Sequence, residues 1–370
     1  MPSAIKAAVI RAPGGPFTLE EAVLDDPRPD EVLVRVVACG ICHTDAGMRD
    51  RLGVAPPFPA VLGHEGSGVV VKSGSSVSGL TPGDPVVMTF NSCGHCPSCT
   101  GHEPAYCHDF VPLNYSGRRR DGSSGLLING EAVSAHVFGQ SAFANYALCH
   151  QENAVKAPPS VPLELLGPLG CGIQTGAGAV LNALKVEPGA SVLVLGAGGV
   201  GMSAVMAARL AGAASVTVVD RVTTRLDLAL DLGATHVVDT AQADLESALR
   251  AFQIQGFDYV VETTGATALA EAAVRQIGRR GALALVGAYP RDTVLSIAPS
   301  HLMGGGRSIR GVLEGNSEPQ AFIPQLIEHF QAGRFPFDRL IRFYDFEEIN
   351  QAMADALSGA TIKPVLRMQS

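Results

Sequence analysis

The sequence predicts an α/β protein in two parts, one β-rich and one built on a doubly wound parallel sheet. Three observations predict it. The first part, up to about Cys171, carries short β-type runs broken by Gly, Pro and Ser. Beyond it, apolar strands alternate with helices, the pattern of a parallel sheet covered on both faces. One of those strands runs straight into a glycine-rich turn and a helix of small residues. A chain of 370 residues, 46% hydrophobic and 17% charged, is long enough for two domains and apolar enough for a large core.

In the β-rich part the clearest strands are Glu31–Ala38 (EVLVRVVA), Gly66–Lys72 (GSGVVVK) and Pro85–Thr89 (PVVMT). In the second part the expected order is strand Ser191–Leu195, helix Val200–Leu210, strand Ser215–Val219 and helix Arg225–Leu232. Then follow strand His236–Val238, a helix near Ala243–Phe252, strand Asp258–Val261, a helix near Ala268–Ile277, strand Ala282–Val286 and a sixth strand at Ser308–Leu313. The last fifty or so residues add helices at Phe322–Gln331 and Phe346–Leu357. The uncharged stretch Pro188 to Ala208 is long enough to span a bilayer. Its five glycines break it into a buried strand, a turn and a buried helix, so no membrane span is expected.

The net charge of −8 argues against a general nucleic-acid binder. Arg118-Arg119-Arg120 is the one basic run and, amid Gly117, Asp121, Gly122 and Ser123, reads as a solvated loop. The N-terminus MPSAIKAAVIRAPGGP has no apolar h-region or cleavage site, and eight cysteines fit a reducing, cytoplasmic compartment.

Four of those cysteines, Cys93, Cys96, Cys99 and Cys107, fall within CGHCPSCTGHEPAYC as C-x2-C-x2-C-x7-C. Four thiolates this close can wrap one tetrahedral Zn²⁺ and leave no open position, the pattern of a structural site. Unrelated core thiols or two disulfides are the competing accounts. The other four are Cys39, Cys42, Cys149 and Cys171.

Gly196-Ala197-Gly198-Gly199-Val200-Gly201 matches G-x-G-x-x-G, directly after an apolar strand and opening a helix. Gly196 permits the tight turn, Gly198 lets the backbone approach a pyrophosphate, and Gly201 lets helix and strand pack closely. Gly199 and Val200 open the helix, whose N-terminus offers unpaired N–H groups to phosphates. Asp220 ends the next strand, where a carboxylate accepts from the adenosine ribose hydroxyls and repels a 2′-phosphate. This predicts a Rossmann-type domain and NAD over NADP. Arg221 beside it could instead pair with a 2′-phosphate. A turn-capping role is the plainer account of Asp220.

Cys42, His64 and Cys171 lie too far apart for spacing to group them. Three protein ligands plus an open position is the pattern of a catalytic zinc. Taken singly, His64 reads equally as a core histidine and Cys171 as a small buried hydrophobe.

The combination resembles the zinc-dependent medium-chain alcohol dehydrogenases. The matching stretches are CGICHTD (Cys39–Asp45), GHEGSG (Gly63–Gly68), GDPVV (Gly83–Val87), the four-cysteine lobe, LGCGIQTGAG (Leu169–Gly178) and GAGGVG followed by Asp220. FGQSAFANY (Phe138–Tyr146) and FPFDRLIRFYDFEEINQAM resemble the aryl (benzyl) alcohol dehydrogenase branch.

The resemblance implies a GroES-like catalytic domain at 1–172, completed by 314–370, and a Rossmann NAD-binding domain at 173–313. It implies two zinc ions, a catalytic one on Cys42, His64 and Cys171 and a structural one on the four-cysteine lobe. Asp45 and Glu65 match positions behind the ligands that tune the metal, and Thr44 the hydroxyl that takes the alcohol proton. His43 and Lys363 match pyrophosphate contacts, Thr175 and Val200 positions beside the nicotinamide, and Arg225 an adenosine-ribose contact. Phe143 matches a substrate-pocket aromatic. Some relatives carry a histidine five residues after the first zinc cysteine, at the end of the proton relay. Here that residue is Gly47.

The activity so implied is hydride transfer from a primary aryl or allylic alcohol to NAD, giving the aldehyde, and the reverse, by a homodimer or homotetramer. The alternatives are an S-(hydroxymethyl)glutathione (formaldehyde) dehydrogenase, for which Arg118–Arg120 could serve the glutathione, and a general aliphatic alcohol dehydrogenase. A non-catalytic NAD(H)-binding protein is a third, which loss of a ligand would signal.

Overall fold

The structure is a computed structural model that describes residues 3–242 and 245–368. The chain forms two compact units. One comprises Met1–Cys171, Glu318–Gln331 and Asp338–Ser370, the other Gly172–Ser317 and Ala332–Phe337.

The first unit is built on two sheets. A seven-stranded sheet is centred on β1 (Glu31–Gly40) and β2 (Glu65–Ser73). β1 is flanked by β2, by Tyr146–His150 and by the C-terminal strand Lys363–Arg367, so it is covered almost along its whole length. That explains the near-continuous apolar run EVLVRVVA, where a half-exposed strand would alternate. The register sets up the chemistry. Gly40 pairs with Glu65 and Cys39 with Gly66, so the residues after β1 emerge beside the residues that begin β2. Gly40 tolerates no side chain, because a Cβ there would lie 2.1 Å from Glu65 Oε2. A second sheet of five strands packs its apolar face into the same core, which takes in Ile10, Phe17, Val34, Leu62 and Leu366.

The expected solvated loop at Arg118–Arg120 is corrected by the structure. Arg119 is only 8% exposed. Its guanidinium donates to both oxygens of Glu31 at 2.9 Å and to Asp25 at 2.8 Å. Arg120 reaches Asn91, the Ser92 carbonyl and Glu152. The run reads as solvated because its partners are distant in sequence. The guanidinium fork, which matches a carboxylate two bonds at a time, is what pulls Arg119 inside.

The second unit is a six-stranded, all-parallel sheet. Its strands are β3 (Ser191–Leu195), β4 (Ser215–Asp220), β5 (His236–Asp239), β6 (Phe257–Glu262), β7 (Ile277–Leu285) and β8 (Ser308–Gly311), ordered β5-β4-β3-β6-β7-β8. This is the Rossmann order, which reverses direction between β3 and β6. β7 starts five residues earlier than the sequence suggests. Its pairing jumps from Phe257–Ile277 to Tyr259–Ala282, so extra residues bulge out around Gly278–Gly281, with Arg280 at φ 62°. The expected helix near Ala243–Phe252 is seen as Leu245–Phe252; Ala243 and Asp244 lie outside the described residues. Among the described residues no helix is long and apolar enough to cross a membrane, because Pro188 to Ala208 splits into β3 and a helix at Gly199–Leu210.

Candidate active site

α1 (His43–Arg49) begins right after β1, and Cys42 is its N-cap. The Asp45 side chain organises this corner. Oδ2 accepts from the Cys42 N–H at 3.1 Å. Oδ1 accepts from the Gly63 N–H at 3.0 Å and from His64 Nδ1 at 3.0 Å. A proton on Nδ1 leaves Nε2 with its lone pair free, the tautomer a metal ligand needs. His64 is fully buried, and its Nε2 has no hydrogen-bond partner. An orphaned buried ring nitrogen is costly unless something sits on it.

Cys42, His64, Glu65 and Cys171 converge, with their donor atoms within 4.8 Å of one another. Two glycines bring Cys171 in. A Cβ on Gly167 would lie 2.2 Å from the Glu65 carbonyl, and one on Gly170 2.1 Å from the Met88 carbonyl. The Thr89 hydroxyl then ties the Gly170 carbonyl down at 2.7 Å. Two thiols and an imidazole with a free lone pair form the donor set of a catalytic zinc, so the residues fit that ion.

The surroundings of the site are negative. The Cys171 thiol holds Cys42 well below the usual thiol range; burial opposes this and His64 adds to it. At His64 burial works against the charged form, yet the Asp45 carboxylate and the Cys42 thiolate outweigh it and raise the imidazole well above its ordinary value. Surroundings that draw a proton to Nε2 also draw a metal cation.

Glu65 is completely buried, and burial pushes its carboxyl up against the pull of Lys363. The Lys363 ammonium donates to its two oxygens at 2.9 and 2.8 Å and to the Ile41 carbonyl at 3.2 Å. Lys363, which the resemblance places on a pyrophosphate, is 4% exposed and committed to this ion pair. His43 is exposed and Thr44 half-buried on the first turn of α1.

Two residues escaped the sequence reading. Phe138 lies on His64, ring centroids 4.5 Å apart, and meets Tyr115 and Phe110 edge-on. Its backbone is left-handed, φ 50°, a strained state for a bulky residue that the surrounding packing must hold. Gln140 Nε2 donates to the His64 carbonyl at 2.9 Å while its Oε1 accepts from the Gly66 N–H at 3.1 Å. Both stand in the FGQ of FGQSAFANY, which was the only available signal. Phe143, expected in the substrate pocket, is instead fully buried, edge-on to Phe17 and closely packed on Gly63.

The four-cysteine lobe is as compact as expected. Its sulfurs lie within 4.8 Å of one another, with Cys96–Cys99 at 3.5 Å and Cys93–Cys99 at 3.9 Å. No pair is disulfide-bonded. A zinc tetrahedron with bonds of about 2.3 Å has sulfur–sulfur edges of about 3.8 Å, so the cluster fits the ion. Backbone N–H groups of His108 and Cys99 hold the Cys96 thiol down to about 6.

In the second unit Gly196 has φ +97°, and a Cβ on Gly201 would lie 1.8 Å from the Gly196 carbonyl. A Cβ on Gly198 would meet nothing within 4 Å, so the loop is open where a pyrophosphate has to approach. Asp220 Oδ2 accepts from the Ala197 N–H at 2.7 Å, and Oδ1 from the N–H groups of Arg221 and Val222 at 2.8 and 3.0 Å. It thus braces the glycine loop as well as ending β4. Thr175 is half-buried with its hydroxyl 3.4 Å from Glu314, and a Cβ on Gly176 would lie 2.0 Å from the Val200 carbonyl. Arg225 is half-buried on the helix Thr223–Leu232.

Residues 28–159 match the alcohol dehydrogenase GroES-like domain family and residues 199–332 the zinc-binding dehydrogenase family. The chain is 44% identical over 363 residues to the geraniol dehydrogenase of Castellaniella defragrans, covering 98% of this chain and 97% of that one. The chain belongs to the zinc-dependent medium-chain alcohol dehydrogenases. Within this family its fold superposes on a crystal structure of an alcohol dehydrogenase zinc-binding domain protein from Burkholderia ambifaria with TM-score 0.98, at 52% identity over the whole of both chains. It superposes on the benzyl alcohol dehydrogenase of Acinetobacter calcoaceticus with TM-score 0.96, at 44% identity over 99% of this chain and all of that one. This dehydrogenase is therefore an alcohol oxidoreductase with a zinc-binding catalytic unit of GroES-like type and a Rossmann unit.

Proposed function

We propose that the protein oxidises primary aryl or allylic alcohols to aldehydes with NAD, and catalyses the reverse. The observation that carries this is the orphaned His64 Nε2 between two thiols, with Phe138 on the ring and Tyr115 and Phe110 behind it. Geraniol and benzyl alcohol, the substrates in the names of the two relatives, share a carbinol carbon next to a π bond.

Cys42, His64 and Cys171 would hold the ion, and Zn²⁺ bound there supplies a Lewis acid that lowers the pKa of an alcohol hydroxyl. Asp45 fixes the tautomer and direction of His64. Phe138, itself buried, packs on the His64 ring and holds it in place. The Thr44 hydroxyl, able to accept and donate at once, would take the alcohol proton and pass it outward, and bound NAD would supply the hydride acceptor. Gly47 offers no base beyond it, so the proton ends in solvent. Asp220, a carboxylate at the end of β4, favours the free ribose hydroxyls of NAD. His43 on the pyrophosphate, Thr175 and Val200 beside the nicotinamide and Arg225 on the adenosine ribose complete the proposed set, in a cytoplasmic homodimer or homotetramer.

The test is a rate comparison of benzyl alcohol, cinnamyl alcohol, ethanol and S-hydroxymethylglutathione, each with NAD and NADP. The conjugated alcohols with NAD should give the highest kcat/KM, with ethanol poor through a high KM. Ethanol or the glutathione adduct turning over better would move the enzyme to another branch. A preference for NADP would overturn the role given to Asp220.

A further inference from the structure

A buried carboxylate in the second unit has no part in the mechanism above. Glu262 is the last residue of β6 and is completely buried. β6 lies next to β3, at the point where the strand order reverses and a parallel sheet binds its ligand. Every hydrogen bond the structure gives its carboxylate comes from a neutral donor. Oε1 accepts from the Thr264 N–H at 2.7 Å and from the Thr264 hydroxyl. Oε2 accepts from the Gly265 N–H at 3.3 Å and from the Tyr289 hydroxyl. The Glu262 carbonyl accepts from the N–H groups of Val286 and Gly287 at 2.9 and 3.1 Å.

One residue thus fastens the loop that follows β6 to the loop that follows β7. The fit between these loops is close. A Cβ on Gly265 would lie 2.3 Å from the Ala288 carbonyl, and one on Gly287 2.2 Å from the Gly265 nitrogen. The glycine loop is locked to the same floor, since a Cβ on Gly196 would lie 2.6 Å from Thr263 Oγ1. Among the described residues, half-buried Tyr289 makes the side-chain hydrogen bond that joins Glu262 to the β7 loop. Burial and the adjacent carboxylate both raise its phenol, so it remains a donor at neutral pH.

The strand order says which half of a dinucleotide this floor serves. Asp220 ends β4, on one side of β3, and takes the adenosine ribose. The phosphates go to the loop after β3. The other nucleotide then lies over the ends of β6 and β7, on the far side. We propose that Tyr289 is a positioning residue for the nicotinamide half of the cofactor, acting through its bond to Glu262 to hold the loops after β6 and β7 in register. The proposal rests on reading this unit as the dinucleotide site.

The experiment uses the zinc-loaded, full-length enzyme and its Tyr289→Phe variant. Binding of NADH and of AMP is measured by titration, with a thermal melt alongside. Losing one buried hydrogen bond under one half of the ligand should raise the Kd for NADH about five- to tenfold and leave that for AMP within about twofold. Tyr289→Leu, which also removes the hydroxyl, should show the same split. Equal weakening of both ligands would mean general loosening, and no change in either would mean the clasp is idle. Either result overturns the proposal. An unmodified enzyme that binds neither NADH nor AMP would instead overturn the dinucleotide reading itself.

Discussion

The first unit holds two cysteine-based candidate metal sites that differ in how the chain builds them. The four-cysteine lobe takes all its donors from fifteen consecutive residues, Cys93 to Cys107. Its sulfurs are gathered by local turns and by N–H groups from within the same segment, such as the Cys96 N–H on Cys93 Sγ at 3.3 Å. The site of Cys42, His64 and Cys171 takes its donors from three distant segments. It exists only because β1 and β2 pair in one register and because Gly167 and Gly170 let Cys171 approach. A local site closes on the metal and acts as a clip. A site assembled by the fold can keep a coordination position open, because its donors are held by other parts of the protein.

A third region serves as a control. His136, like His64, is a buried histidine whose Nε2 lacks a partner. Its neighbours are arginines. Burial, then Arg119, Arg28 and Arg118, push its pKa down to about 3. An orphaned nitrogen alone therefore does not make a candidate ligand; His64 is one because Asp45 and two thiols surround it.

The sharpest break of the comparison is at Cys171 against Cys99. Cys171→Ser should abolish activity and leave a folded protein with one zinc. Cys99→Ser should lose the other zinc and lower the melting temperature on the order of 10 °C, since metal binding at a closed site is folding energy. Elemental analysis, melting curves and rates check both, and an unmodified chain holding a single zinc would end the two-site account.

Next in size, Thr44→Ala should slow hydride-limited turnover by about 10²–10⁴-fold, the usual worth of general acid–base help. Near-normal activity would show that the proton leaves by another route.

The control region gives a pH effect. In the fold His136 stays neutral down to about 3, whereas in the unfolded chain it takes a proton near pH 6.5. Below about pH 6.5 the unfolded state binds the extra proton, so stability falls as pH falls through that window, by about 1.4 kcal/mol per unit. His136→Leu should remove that slope, measured as the difference in unfolding free energy between the two proteins from pH 6.5 to 4.

The smallest effect is expected at Gly47, where an added Cβ would meet nothing within 4 Å. Gly47→His should leave the maximal rate nearly unchanged and add an ionisation near pH 6.5 to the rate profile.

By itself, the sequence determined what short-range chemistry can specify. The lobe's spacing, the strand–glycine–helix run with Asp220, and the alternation that makes a parallel sheet are all local patterns. Cys42, His64 and Cys171 could be grouped only by resemblance, because the sequence separation between donors says nothing of their distance in space. The tertiary structure decided the rest. Arg119 is inside because Glu31 and Asp25 meet it, and Phe138 rather than Phe143 lies on His64 because a left-handed turn aims it there. Lys363 is spent on Glu65 because the C-terminal strand pairs with β1. Each is a long-range contact whose energy depends on burial and partners that no local window of sequence contains.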